Sequence, residues 1–214
     1  MPVNPEALTS ATAPADEPGE GLDPTDEARG NVYSLLAALL AAPPGEELLG
    51  RLRGVEPPDG EATELGVAWR MLRLAADRAR EEAVDDEFHG LFIGISRGEL
   101  VPYGSWYMTG LLMDKPLALL RRDLAAMGFE RQSNVREPED HIAALCEVLA
   151  LANRAGSAMP LGVQASFFND HLAPWVEVFF DDLQNAYAAC FYRPVGQLGS
   201  AFMRVERQYL NMPV

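Results

Sequence analysis

Apolar residues recur at helical spacing along most of the chain, and this pattern most limits the folds that the chain can adopt. In the segment after Asp23 and Pro24, which are typical of a helix start, five residues fall on one helix face: Val32, Leu35, Leu36, Leu39 and Leu40. Further helical segments follow, each bounded by proline or glycine. No stretch of useful length alternates as a strand would, and there is no internal repeat. The sequence therefore predicts an all-α fold, a single-domain helical bundle.

The first 23 residues differ from the rest because they are rich in Pro, Ala, Glu and Thr and poor in large apolar side chains. They contain five acids and no base: Glu6, Asp16, Glu17, Glu20 and Asp23. Such a segment cannot bury enough apolar surface to offset the entropy lost on ordering. We expect residues 1–23 to be a disordered acidic tail and residues 24–214 to be the helical domain.

Charge and cysteine content limit the partners and the compartment. The chain has 17 basic and 32 acidic residues, a formal net charge of −15, which repels nucleic acid and favours a cationic partner. Its two cysteines, Cys146 and Cys190, lie far apart and suggest reduced thiols. The longest apolar run, Leu35–Ala42, is far shorter than the roughly 20 residues that span a bilayer. With no secretory signal at the amino terminus, we expect a cytoplasmic protein without stable membrane insertion.

The sequence gives little support for a catalytic site or a metal site. Gly94–Gly98 matches G-x-S-x-G, with Ser96 as nucleophile and His141 as base, but that motif requires a strand before the serine and here a helix precedes it. A serine hydrolase using Ser96 and His141 stays an alternative. The histidines and cysteines form no close pairs of the kind that bind zinc, and no phosphate-binding loop is present. The sequence predicts no enzyme, no metal and no cofactor.

Three short motifs, joined by helices, concentrate aromatic and acidic side chains: "FHGLF", "PYGSWY" and "EPEDH". In the last of these, Pro138 is predicted to be the first helical residue, which would place Glu139 and Asp140 in the first turn, where acids are favourable. A histidine near a helix N-terminus is disfavoured when charged, so His141 is expected to be neutral at pH 7. Together the motifs predict an apolar groove with a negative rim.

The order of these motifs resembles that of the TorD/DmsD family of redox-enzyme maturation chaperones. The resemblance rests on F-x-x-L-F-x-G at 88–94, P-Y-G-S-x-Y at 102–107 and E-P-x-D-H at 137–141, with "FFNDHLAPW" at 167–175 similar to a later family element. It covers about residues 30 to 210. Two positions depart from the pattern of some members: Phe88 replaces Trp or Tyr, and Gly104 replaces Glu, which removes a partner for an arginine.

The resemblance implies an all-helical cytoplasmic chaperone that binds the twin-arginine leader of a molybdenum-cofactor oxidoreductase and holds the apo catalytic subunit until its cofactor is inserted. From the family motifs and their neighbours, the predicted peptide-binding residues are Phe88, Leu91, Phe92, Pro102, Tyr103, Gly104, Ser105, Trp106, Tyr107, Glu137, Pro138, Asp140 and His141. A homodimer is left open, and the client enzyme is not specified.

The chemistry of such a leader fits these residues. Two arginines followed by an apolar stretch require carboxylates for the guanidinium groups and a groove for the apolar part. Asp140, with Glu137 or Glu139, would supply the carboxylates, and the groove would be lined by Leu91, Phe92, Tyr103 and Trp106. A helical adaptor for another basic peptide is a second alternative.

Overall fold

The computed structural model describes residues 8–10, 23–56, 63–94, 98–131, 137–154 and 159–212. Within these ranges the chain forms ten α-helices: α1 Pro24–Ala41, α2 Glu46–Arg53, α3 Glu64–Arg78, α4 Glu81–Phe88, α5 Gly104–Thr109, α6 Lys115–Ala126, α7 Ile142–Ala152, α8 Leu161–His171, α9 Val176–Asn185 and α10 Tyr192–Leu210. A π-helical turn, His89–Ile93, continues α4. The all-α prediction is confirmed.

Helix α7 lies at the centre of the bundle, because nearly all of its residues are apolar and buried. Helix α1 packs along α7, while α10 packs against both α9 and α3. The α9–α10 contact is close, since a Cβ atom at Gly199 would collide with the ring of Phe180, which is fully buried. The helices therefore surround one continuous apolar core.

A buried polar cluster joins four of the helices at one end of the bundle. Arg29 of α1 donates from Nε to Oε1 of Glu206 in α10 at 2.8 Å and from Nη1 to Oδ1 of Asn153, the residue after α7, at 2.9 Å. Gln164 of α8 accepts from Arg29 Nη2 at 3.0 Å, and the hydroxyl of Tyr33 donates to Glu206. Glu206 is fully buried, so this pairing offsets the cost of removing its charge from water.

The N-terminus of α10 is held by a carboxylate from another helix. Glu87 of α4 accepts hydrogen bonds from the backbone N–H groups of Cys190 and Tyr192, both at 2.7 Å, and of Phe191 at 3.0 Å. The carboxylate of Glu99 accepts similarly from the N–H groups of Tyr187 and Ala188. These two acids fix the segment before α10 against the "FHGLF" motif, which begins at the residue after Glu87.

Several local features differ from the sequence prediction. The sequence predicts a helix that runs through residues 85–94, a loop at 94–105 and no helix between about residues 154 and 174. In the structure, residues 89–93 form a π-helical turn, α5 begins at Gly104 and α8 lies between residues 154 and 174. Two three-residue strands, Leu8–Ser10 and Phe129–Arg131, pair antiparallel; such short strands leave no detectable alternation in a sequence. The remainder of the predicted tail, residues 1–7 and 11–22, lies outside the described residues, so the disordered tail stays a prediction. Among the helices described, none is long and apolar enough to cross a membrane.

Candidate functional site

The three motifs meet around a small cavity of about 60 Å³. The residues that line it come from α1, from the end of α4 and its π-helical turn, and from the second and third motifs: Leu40, Ala41, Phe88, Phe92, Ile93, Pro102, Tyr103, Glu137 and His141. Residues about fifty positions apart in the sequence are thus adjacent in space. This convergence defines the candidate site.

Backbone hydrogen bonds join the second motif to the third. Tyr103 and His141 form an isolated antiparallel bridge. Gly104 N donates to the carbonyl oxygen of Asp140, and Ile142 N donates to that of Pro102, both at 2.9 Å. The relative position of the two motifs is therefore set by the main chain.

This bridge overturns the predicted start of the helix. Helix α7 begins at Ile142, with His141 as its N-cap, rather than at Pro138. Because His141 is drawn into the bridge, its backbone is extended, with φ −65° and ψ 136°. Glu139 and Asp140 consequently lie in a turn before the helix and are not first-turn acids.

The side chain of Asp140 caps the start of a different helix, α5. Its Oδ2 atom accepts a hydrogen bond from the N–H of Ser105, in the first turn of α5, at 2.8 Å. Asp140 is 3% exposed and Ser105 is fully buried. The second carboxylate oxygen, Oδ1, is buried without a hydrogen-bond partner among the described residues. Asp140 is therefore a buried capping group for α5.

His141 is neutral at pH 7, as the sequence predicted, but for a different reason. His141 is 5% exposed, and burial of its imidazole ring lowers the pKa of the side chain to about 4. Its Nδ1 atom accepts a hydrogen bond from the N–H of Ala143 at 3.2 Å, which assigns the proton of the neutral ring to Nε2. The ring meets that of Tyr103 edge to face, with centroids 5.0 Å apart.

Two half-buried acids at the site are held by side chains of the same chain. Glu137 accepts a hydrogen bond from the Tyr103 hydroxyl, and burial together with this carboxylate raises the pKa of Tyr103. Oε2 of Glu139 accepts from Nε of Arg121 at 2.9 Å. The side chain of Arg121 is 49% exposed, whereas that of Glu139 is 10% exposed.

The predicted residues divide into a buried and an accessible set. The buried set comprises Phe88, Leu91, Pro102, Gly104, Ser105, Asp140 and His141. The partly exposed set comprises Phe92, Tyr103, Trp106, Tyr107, Glu137 and Pro138. The second set presents side-chain surface to solvent, whereas the first set is buried, and three of its members, Phe88, Pro102 and His141, line the cavity.

The glycine at position 104 has a structural cause. A Cβ atom there would lie 3.0 Å from Nε1 of Trp175, whose indole is buried. Trp175 belongs to the "FFNDHLAPW" segment, and it stacks on Tyr107 at 5.4 Å between ring centroids. The hydroxyl of Tyr107 in turn donates to Oδ2 of Asp182 at 3.0 Å. A glutamate at position 104 would press on this aromatic cluster.

An exposed apolar loop beside the site was missed by the sequence reasoning. Four residues in and after α5 are 42–71% exposed: Met108, Leu111, Leu112 and Met113. The N–H of Met113 donates to Oγ of Ser105 at 3.2 Å, which ties the loop to the candidate site. Met113 has φ 58° and is the one non-glycine residue with positive φ within the described ranges. The sequence signal for this exposed loop was the apolar run "LLM", because its residues do not form the buried face of a helix.

Two other kinds of site were considered from the sequence, a serine nucleophile and a metal site. Ser96 lies outside the described residues, so the predicted Ser96–His141 pair has no geometry here. Among the described histidines, cysteines and acids, no group of three or more could hold a metal ion.

A family model described as "Nitrate reductase delta subunit" matches residues 58–181, more than half of the chain. A protein named "Chaperone protein TorD" from Vibrio cholerae serotype O1 (strain O395) is 30% identical over 160 residues, which cover 71% of this chain and 72% of the relative. The chain belongs to the TorD/DmsD family. Its curated relatives are chaperones, and the chain is accordingly a chaperone rather than an enzyme.

Other relatives extend the TorD likeness beyond the region that the family model matches. A TorD chaperone from Vibrio cholerae serotype O1 (strain M66-2) is 27% identical over 207 residues, 87% of this chain and 93% of the relative. A solved structure described as a redox enzyme maturation protein from Archaeoglobus fulgidus has a TM-score of 0.51 at 18% identity, covering 94% of this chain and all of that one. This structural likeness supports the TorD-type fold.

Proposed function

We propose that this chaperone works in the cytoplasm, where it binds the twin-arginine leader of a molybdenum-cofactor oxidoreductase and holds the apo catalytic subunit until the cofactor is inserted. The observation that carries the proposal is the convergence of three separate motifs on one small cavity that has Glu137 in its lining. Membership of the TorD/DmsD family supports the same assignment.

The leader arginines bind at Glu137 and Glu139. Both carboxylates now satisfy their hydrogen bonds with side chains of the same chain, Tyr103 and Arg121. A guanidinium group can replace these partners and form two parallel hydrogen bonds with one carboxylate, which an ammonium group cannot. The net charge of −15 attracts the cationic leader over a longer range.

The apolar part of the leader lies on the accessible aromatic residues and continues onto the exposed loop. Phe92, Tyr103 and Trp106 offer the aromatic surface, and Leu111 to Met113 extend it. Exposed methionines adapt to apolar chains of different shapes, which suits leader sequences that share little beyond hydrophobicity. Leu91 and Asp140, which are buried, contribute by holding the surface in place.

Isothermal titration calorimetry with a synthetic twin-arginine leader tests this assignment. We expect binding that weakens as salt rises, and a loss of about tenfold or more in affinity for Glu137→Gln, which keeps the shape and removes the charge. Glu27→Gln on α1 is the matched control, because Glu27 is an exposed acid that does not line the cavity.

The same leader with both arginines changed to lysine separates two functions. We expect it to bind much more weakly, because lysine cannot form the paired hydrogen bonds. Equal binding of the two leaders would replace the proposal with an adaptor for basic peptides in general. If neither leader bound, the peptide-binding site would be wrong, although the family assignment would stand. A homodimer stays a prediction.

A further inference from the structure

A second, larger groove lies on the surface formed by α3, α4 and the start of α10. Its volume is about 720 Å³, within the usual range for ligand pockets, and it shares no residue with the candidate site. It is lined by apolar and small residues of α3 and α4, by three arginines and by residues around the start of α10. Neither the motifs nor the proposed leader site uses this groove.

The floor of the groove is apolar and partly open to water. Met71 and Leu74 of α3 are 42% and 44% exposed although they lie beside Val84 and Phe191, which are buried. From Met71 to Arg78, the last residue of α3, the helix rises about 10 Å, or roughly two helical turns. The floor is therefore long enough to accept two turns of a second helix.

The rim of the groove is basic, in contrast to the chain as a whole. Arg78, Arg80 and Arg193 line it, and the described residues offer none of them an ion pair. Of the two acids in the groove, Glu87 is committed to the N–H groups at the start of α10. Arg193 also donates from Nε to the carbonyl oxygen of Gln184 at 3.0 Å. Three guanidinium groups against the two carboxylates of Asp86 and Glu87 leave the lining with a formal charge of +1, on a chain with net charge −15.

We propose that this groove binds an amphipathic helix of a protein partner, with apolar side chains on the floor and carboxylates paired to the arginines at the rim. The two features require a ligand that is both apolar and acidic. The residues of this chain before Asp23 are acidic but contain few large apolar side chains, so they match the rim and not the floor. The required charge is opposite to that of a twin-arginine leader, so the groove is a second binding surface beyond the proposed function.

The probe is a synthetic helical peptide of about 18 residues, with leucine at every third or fourth position and glutamate on both flanks of that stripe. A second peptide has lysine in place of every glutamate. Cys190 reports where the peptide sits, because it lines the groove and is exposed, whereas Cys146 is buried. Binding is measured by fluorescence anisotropy, and occupancy by the rate of alkylation of Cys190 in the full chain.

We expect the acidic peptide to bind and, at ten times its Kd, to slow alkylation of Cys190 by about tenfold, because only the free protein then reacts. Leu74→Glu and the double variant Arg78→Glu/Arg80→Glu should each raise the Kd of the acidic peptide tenfold or more. A tenfold change corresponds to about 1.4 kcal/mol of binding free energy. Val205→Glu is the matched control, since Val205 is 45% exposed on α10 and does not line the groove.

Three results would overturn the proposal: no binding of the acidic peptide, binding without protection of Cys190, or equal binding of the lysine peptide. Faster alkylation after deletion of residues 1–22 would also overturn it, by showing that the tail of this chain occupies the groove. The twin-arginine leader, titrated against Arg78→Glu/Arg80→Glu, should bind as it does to the wild type. Failure of the leader experiment and failure of the groove experiment are therefore distinguishable.

Discussion

The carboxylate of Asp140 accepts a hydrogen bond from the backbone N–H of Ser105 at 2.8 Å, across 35 residues of sequence. Both groups are buried, and the carbonyl of Asp140 accepts a second bond from Gly104 N. A single residue of the "EPEDH" motif thus holds the start of the helix formed by the "PYGSWY" motif.

Asp140→Ala should lower the free energy of unfolding by about 1–3 kcal/mol, because the buried N–H of Ser105 loses its acceptor. Asp140→Asn keeps an acceptor oxygen and should cost less. Urea unfolding of the two variants beside the wild type measures this difference. Unchanged stability of Asp140→Ala would contradict a capping role, and leader binding to this variant should be compared only under conditions in which it is folded.

His141 should make the protein less stable in acid. The folded state holds the pKa of His141 at about 4, below its ordinary value of 6.5, so below pH 6.5 the unfolded chain takes up a proton that the folded chain does not. The contribution of His141 to the free energy of unfolding is fully present above pH 6.5 and is lost as the pH falls towards 4. The total loss is about 3 kcal/mol.

The matched variant for this titration is His141→Asn, which keeps a helix-capping side chain and removes the titrating group. Urea unfolding at about pH 7.5 and about pH 4.5 gives the pH dependence of each protein. We expect a smaller loss in the variant than in the wild type. Equal losses would assign the acid sensitivity to other groups.

Glu87→Ala should release the backbone between Cys190 and Tyr192, because three N–H groups lose a charged acceptor together. Hydrogen exchange of these amides should accelerate about tenfold or more, the equivalent of about 1.4 kcal/mol or more of local stability.

Glu99→Ala is the control for this experiment, because Glu99 binds the N–H groups of Tyr187 and Ala188 instead. It should accelerate exchange at those two amides and leave Phe191 and Tyr192 protected. Identical exchange patterns in the two variants would show that the segment opens as one unit and that Glu87 has no separate role.

Glu206→Gln should be among the most destabilising single changes in the chain. Its carboxylate is fully buried and pairs with Arg29 and with the Tyr33 hydroxyl. The change removes the buried partner of Arg29 and leaves it only the more exposed carboxylate of Asp26. Breaking a buried pair in this way costs about 3–5 kcal/mol. The exposed pair Glu47–Arg51 provides the comparison, since Glu47→Gln should cost less than about 1 kcal/mol in the same urea titration.

Local spacing was sufficient to predict several helices. Between Asp114 and Gly128 the sequence predicts a helix with an apolar stripe of Leu117, Leu120, Leu124 and Met127. In α6 the three leucines are buried and Met127 is partly exposed, Asp114 stands at the N-cap and Gly128 has φ 80° just beyond the end. In α1 the predicted cap is present, with Asp23 Oδ1 accepting from Thr25 N at 2.8 Å. These features depend on neighbours within a few residues, and the sequence shows them directly.

The start of α7 was mispredicted because its cause lies elsewhere in the chain. Pro138 followed by two acids is typical of a helix start, yet the backbone at His141 pairs with that of Tyr103 and delays the helix to Ile142. The partner is 38 residues away, and no local pattern contains that information.

The amino-acid sequence by itself determined the helical class, the acidic charge and the three motifs that carry the family resemblance. Only the tertiary structure decided which motif residues are accessible: Phe92 and Trp106 reach the surface, while Leu91 and Asp140 do not. The physical reason is that helical spacing is a property of neighbouring residues, whereas burial and long-range hydrogen bonds depend on how the helices pack together.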